Sequence, residues 1–211
     1  MVSALVDGLG LSAWTFVVTL VGSLPLGIVV ALCRMSSFKP LSLLAQFYIS
    51  ILRGTPLMLQ LMAFMFGPYY LLGMNMGTDW KFGACAVGFI LNYSAYFAEI
   101  YRSGIQSIPK GQYEAALVLG YSRSQTFFKI VLPQVIKRIL PAMGNEIITL
   151  VKDTSLAYVV SFTEMFYIGQ QLSAAQKSLL PLFVAGAFYY VFNFVIAFIM
   201  EKVEKKFNYY Q

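Results

Sequence analysis

The chain predicts an all-α integral membrane protein with five transmembrane helices and its N-terminus outside. Three observations carry the prediction: 59% of the 211 residues are hydrophobic, only 11% are charged, and the apolar residues gather into long stretches separated by basic ones. A soluble domain carries about 25% charged residues, and a water-facing surface cannot be built from so few. Crossing the hydrocarbon takes about 20 predominantly apolar residues, and such stretches lie near 11–33, 50–72, 82–101, 139–160 and 180–200. Residues 1–211 read as one transmembrane domain, undivided by a linker, a low-complexity tract or an internal repeat.

Span 1 lacks a basic n-region, is long for a signal-peptide core and ends at Arg34 without a small-residue cleavage site, so it is retained. Span 2 has the least certain limits, because apolar character begins at Leu41 and one helix from there to Leu72 would be about 48 Å long. Gly54 and Pro56 supply a break, since proline lacks a backbone donor and disfavours helical geometry at Thr55. Residues 41–49 then run along the inner interface. Gly67-Pro68 and residues 73–77 mark the outer end, before a loop with Asp79 and Trp80.

Span 3 places Asn92, Tyr96 and Glu99 on one helical face, the wall of a cavity, with Glu99 set to pair with Arg102 three residues on. Span 4 carries Asn145, Glu146, Thr149, Lys152 and Asp153 at three- and four-residue steps, one broad polar face. The aromatic residues of span 5 and the Tyr209-Tyr210 tail are expected at lipid and interface. Cys33 and Cys85 sit in apolar stretches without a ligand pattern, as core or lipid-facing residues.

Basic residues near span ends are retained in the cytoplasm. Eleven of the 15 Lys and Arg follow span 1, separate spans 3 and 4, or follow span 5, against Lys81 and Lys177 on the other side. That asymmetry puts the N-terminus outside and the C-terminus in the cytoplasm, and it accounts for most of the net charge of +6. The basic runs are short and broken, which argues against nucleic acid as a partner.

No histidine occurs, which excludes Ser-His-Asp triads and His-containing zinc sites. No GxxxxGK[ST] loop is present to cradle ATP. The chain is therefore read as no enzyme, with no catalytic residue, metal or cofactor of its own.

Between spans 3 and 4 the composition changes. Residues 107–120 predict a short helix with Pro109 near its start and Gly120 at its stop. Ser122 with Gln125 forms a capping-box pattern for a second helix, anchored by Phe127, Phe128, Ile130 and Val131 and ended by Leu132-Pro133. On composition alone, an amphipathic hairpin resting on the membrane surface fits equally well.

The order Glu114-Ala115-Ala116, Gly120, then Ile130-Val131-Leu132-Pro133 resembles the EAA loop of permease subunits in ABC importers. The stretches Arg53–Gln60, Ser94–Arg102, Ile108–Gln112 and Lys152–Leu156 narrow the resemblance to permeases for polar amino acids, of the histidine, glutamine, arginine and cystine type. It implies a type I importer permease fold in a bacterial cytoplasmic membrane, working by alternating access. It also implies a second permease, identical or sister, a pair of cytoplasmic ATP-binding subunits carrying ATP and Mg, and an extracytoplasmic amino acid-binding protein. Residues 107–134 would be the coupling loop on the ATPase, with Glu114, Ala115, Gly120, Phe127 and Phe128 as its surface.

Charges at mid-membrane cost about 2.5–3.5 kcal/mol each and so face protein, a wet cavity or one another. Glu146 and Asp153 stand about 10.5 Å apart along a helix, an arrangement that suits the α-ammonium and the polar or cationic side chain of a bound amino acid. Pairing of these carboxylates with Lys152 and Arg53 is the equal alternative. The resemblance places Lys152-Asp153-Thr154-Ser155 on the translocation path, which favours Asp153. Asn92, Tyr96 and Thr149 complete the expected substrate-binding set. Arg53, beside the helix break, reads as a packing or snorkelling residue more than a substrate contact. An ATP-independent secondary transporter or channel is the rival function, since it too would carry intramembrane charges.

Overall fold

The computed structural model describes residues 1–74, 77 and 80–207. Asp79 of the expected outer loop and the Tyr209-Tyr210 tail lie outside the described residues. Helices account for almost all of the rest, and no strand occurs among the described residues.

Helices α1 (Val2–Arg34) and α4 (Trp80–Gln106) form the central pair. Lipid tails are as apolar as leucine, so membrane helices associate by close van der Waals approach of small residues. The buried face of α1 accordingly carries Gly8, Ser12, Thr19, Ser23, Gly27 and Ala31. A Cβ at Gly27 would lie 3.0 Å from the Phe97 Cβ and 3.2 Å from the Ser94 carbonyl oxygen, so α4 crosses directly on that glycine. Around α4 the core assembles from Cys85, Phe89, Tyr93 and Phe97, meeting Phe16 of α1 and Leu61 of the third helix.

Helices α2 (Lys39–Gly54) and α3 (Leu57–Leu72) meet at 109°. Thr55 and Pro56 are extended at the corner, where the sequence placed the break. The expected span 50–72 needs correcting, because its first residues belong to α2. Helix α2 is held by Ala45, Ile49 and Leu52 and by the Tyr48 hydroxyl, which donates to the Leu91 carbonyl at 2.9 Å. Trp80 opens α4 and donates from Nε1 to the Phe64 carbonyl of α3 at 3.2 Å.

The loop at 107–134 folds as α5 (Lys110–Val118), then α6 (Arg123–Thr126). The second helix does not end at Leu132-Pro133, as expected. A π turn over Phe127–Val131 leads straight into α7 (Leu132–Asp153), and the Leu132 N–H donates to the Phe127 carbonyl. That five-residue bond resets the register, so Pro133 falls in the first turn of α7, where a missing donor costs nothing.

The expected span 139–160 is helical throughout but changes type. After Asp153 it tightens into a 3-10 segment, Thr154–Val160, closed by Ser161 at φ 56°. Next comes α8 (Met165–Gln176), a helix with no counterpart in the sequence reading. The final helix, α9 (Leu180–Phe207), exposes Phe183, Tyr190 and Phe194, as expected of span 5. Tyr189 and Phe192 depart from that expectation by turning inward, Phe192 meeting Phe16 edge to face.

By length and composition, only α1 and α9 among the described residues are apolar enough to cross a membrane singly, or three units if the bent α2–α3 pair is one span. Helix α4 is about 40 Å long, but small and polar residues such as Gly83, Asn92 and Ser94 lower its hydropathy, and α7 carries charged residues along its length.

Candidate functional site

Helix α7 turns Asn145, Thr149 and Lys152 outward, while Glu146 and Asp153 are half-buried against α4. The Tyr93 hydroxyl donates to Asp153 Oδ2 at 2.7 Å. Tyr93 itself is 2% exposed, so its ring is fixed by the core and aims the carboxylate.

Glu146 lines a cavity of about 250 Å³ with Arg53, Tyr96, Glu99, Ile100 and Ser103. The Arg53 guanidinium lies 5.0 Å from the Tyr96 ring centroid, within cation–π range, with Nη1 3.9 Å from Glu99 Oε2. Glu99 is bound by Arg102 through Nε at 3.0 Å and Nη2 at 2.7 Å, the intrahelical pair that the spacing predicted. Neither Lys152 nor Arg53 comes within 4 Å of a Glu146 or Asp153 oxygen among the described residues. Arg53, its side chain 42% exposed, thus shares a cavity wall with Glu146 beside the helix break.

Of the expected substrate-binding residues, the fold brings Glu146 and Tyr96 into one cavity and sets Asp153 two helical turns farther along α7. Thr149 is exposed on the adjoining face. Asn92 is elsewhere: it is 4% exposed and donates through Nδ2 to the Leu52 carbonyl and to Gln60 Oε1, both at 2.9 Å. Gln60 in turn donates to the carbonyls of Leu52 at 2.9 Å and Thr55 at 3.1 Å. These two amides satisfy backbone acceptors that the α2–α3 break leaves without helical partners.

Sequence reading missed Tyr93 and Gln60, whose partners lie 60 and 32 residues away. It also missed Glu164, 1% exposed, which caps α8 by accepting from the Phe166 and Tyr167 N–H groups at 2.7 and 2.8 Å and from the Tyr189 hydroxyl at 2.7 Å. Glutamate is not among the preferred N-cap residues, so the sequence held no strong local signal for this helix start.

The 107–134 loop supplies a second surface. Ala116, 1% exposed, anchors α5, while Glu114, Ala115 and the side chains of Leu117, Val118 and Leu119 face outward. Gly120 adopts φ 77°, and the Tyr121 and Gly120 N–H groups reach back to the carbonyls of Ala116 and Leu117, a Schellman stop. Ser122 and Gln125 form the reciprocal capping box. Beside the turn opens a largely apolar surface cavity of about 630 Å³ lined by Tyr113, Leu117, Tyr121 and Phe127 among others. Phe127 packs beside Ile108 and Val131, whereas Phe128, edge-on to it, is 62% exposed.

A polar cavity between helices and an exposed apolar turn outside them are surfaces of the kind a membrane transport subunit needs. Residues 23–209 match the family of binding-protein-dependent transport system inner membrane components, and the chain belongs to that family. It is 41% identical over 203 residues to the arginine transport system permease protein ArtQ of Bacillus subtilis (strain 168), covering 96% of this chain and 91% of the relative. The glutamine transport system permease protein GlnP of Escherichia coli (strain K12) is 34% identical over 206 residues, covering 96% and 92%. Among solved structures, an amino acid ABC transporter crystallised with histidines superposes with a TM-score of 0.87 at 31% identity, covering 97% of this chain and 94% of that one. The chain is thus a permease subunit located in the bacterial inner membrane, and it is not itself the ATPase.

Proposed function

We propose that this permease subunit of an amino acid ABC importer moves a polar or cationic amino acid past Glu146 and Asp153 on α7. The observation that carries the reading is the pair of half-buried carboxylates on one face of α7, one opening into the Arg53–Tyr96 cavity and one aimed by Tyr93. Ammonium and guanidinium groups are held by such acceptors through charge-assisted hydrogen bonds. Relatives named for arginine and glutamine support the substrate class.

In this reading the chain crosses the membrane five times with its N-terminus outside, and the cytoplasmic turn of α5 and α6 docks on an ATP-binding subunit carrying ATP and Mg. The exposed stripe of Asn145, Thr149 and Lys152 faces a second permease, identical or sister, across the path. An extracytoplasmic binding protein delivers the amino acid, and the two access states differ in how they hold it.

The test is uptake by proteoliposomes holding the permease, its ATPase and its binding protein, loaded with or without ATP. ATP-dependent uptake of one of arginine, histidine, glutamine or cystine is expected. Glu146→Gln is expected to raise the KM for a cationic amino acid about tenfold, equivalent to about 1.4 kcal/mol. Uptake without ATP would overturn the importer reading, and an unchanged KM would remove Glu146 from the site.

A further inference from the structure

On the other side of the Arg53–Glu99 contact lies a second cavity of about 250 Å³, where the polar side chains of Arg34, Gln46, Ser50, Arg53, Glu99 and Arg102 surround a single apolar one, Ile49. Three guanidiniums face one carboxylate there, so the pocket is strongly anion-attracting. Arg102 is engaged by Glu99 and by Gln106. Arg34 makes one side-chain bond, to Ser42 Oγ at 3.0 Å, and Arg53 at 3.9 Å from Glu99 is beyond hydrogen-bond reach. Several N–H donors therefore remain for a ligand.

The order of residues around α2 identifies what the ligand is attached to. At 100° per residue, Arg53, Gln46 and Ser50 line the pocket, and the next side chains around the helix are Leu43, Phe47 and Ile51. Those three are 63%, 66% and 43% exposed. A polar basket adjoining a bare apolar helix face matches a molecule with a phosphate at one end and hydrocarbon at the other.

We propose that the Arg34, Arg53 and Arg102 basket binds the phosphate of an anionic phospholipid, whose acyl chains lie along Leu43, Phe47 and Ile51. The site is at the inner leaflet if the chain is oriented as proposed above, but binding itself is independent of the transport reading. Arg53 and Glu99 are shared with the cavity of Glu146, so an occupied basket fixes one wall of that cavity.

The test is native mass spectrometry of the purified transporter complex released from nanodiscs of equal phosphatidylglycerol and phosphatidylcholine. Wild type is expected to retain phosphatidylglycerol, and Arg34→Gln to retain about fivefold less, the effect of one basic residue at a lipid surface. Lys39→Gln, which removes the same charge outside the basket, is expected to leave retention unchanged. Ser50→Glu, which puts a negative charge into the pocket, provides a second loss-of-binding variant if Arg34→Gln does not assemble. Equal retention in all variants, or equal loss with Lys39→Gln, would overturn the proposal. Displacement of the lipid from wild type by inorganic phosphate alone would assign the basket to a free anion and overturn the lipid identity. Lipid retention is read without substrate or ATP, so its failure is distinct from failure of transport.

Discussion

The Tyr93 hydroxyl and the Asp153 carboxylate meet at 2.7 Å, joining the middle of α4 to the last residue of α7. Tyr93 is buried among core side chains, so the hydrogen bond fixes the direction of a carboxylate that otherwise rotates freely. Tyr93→Phe keeps the ring and removes only the hydroxyl. Loss of a hydrogen bond to a charged group is worth about 1.5–3 kcal/mol. We expect a raised KM for uptake, at least fivefold, with assembly retained; unchanged kinetics would show that Asp153 needs no orientation.

Gly120 stops α5 in a left-handed conformation that costs a side-chain-bearing residue about 1–2 kcal/mol. Gly120→Leu is therefore expected to insert into the membrane normally but to misplace the turn between α5 and α6. Substrate-stimulated ATP hydrolysis and uptake, measured on the same vesicles, should lose their proportionality. Normal uptake in this variant would remove the turn from coupling.

At Gly8 a Cβ would lie 2.7 Å from the Met165 Cα, and backbone cannot step aside as a flexible side chain can. Gly8→Val is expected to push α1 from α8 at a cost of about 1–3 kcal/mol. Gly10, two residues on, has nothing within 4 Å of that position, so Gly10→Val is the matched control. Thermal unfolding in detergent should separate the two; equal midpoints would show that α1 and α8 do not depend on this contact.

Gln60→Ala removes an amide whose two N–H groups serve three acceptors at the α2–α3 corner, the Leu52 and Thr55 carbonyls and the Thr55 hydroxyl, one hydrogen being shared. Acceptors left buried and unsatisfied cost about 1–3 kcal/mol. A lower thermal midpoint is expected, together with faster protease cleavage near residues 54–57. Protection equal to wild type would mean that Asn92 holds the corner alone.

The features legible in the sequence are those that local chemistry decides. Pro56 dictated a break, Gly120 a left-handed stop, and Ser122 with Gln125 a reciprocal cap, and each occurs where it was read. Glu99 and Arg102 are one helical step apart and pair as expected. Features that depend on distant partners were not legible. Asn92 was read with Tyr96 because they share a helical face, and both do face the α2–α3 corner, but the Asn92 amide is committed to Leu52 and Gln60 rather than to the cavity. Pro133 looked like a terminator because sequence spacing does not show a π turn, which moves the proline into a tolerated position. Helix α8 escaped notice since its cap, Glu164, is stabilised by Ser12 and Tyr189 from opposite ends of the chain.

From Arg123 to Asp153 the backbone is helical without an intervening loop, running from the exposed turn beside Phe128 to the carboxylate that Tyr93 holds. Those 31 residues make a strut about 45 Å long. A strut has no slack: a tilt imposed at its outer foot reappears at its tip, scaled by where the core grips it along Val135, Met143 and Leu150. The compliant joints are the π turn and Pro141, where the helical hydrogen-bond ladder is interrupted, so softness there, and not distance, limits how faithfully a push at one end is felt at the other.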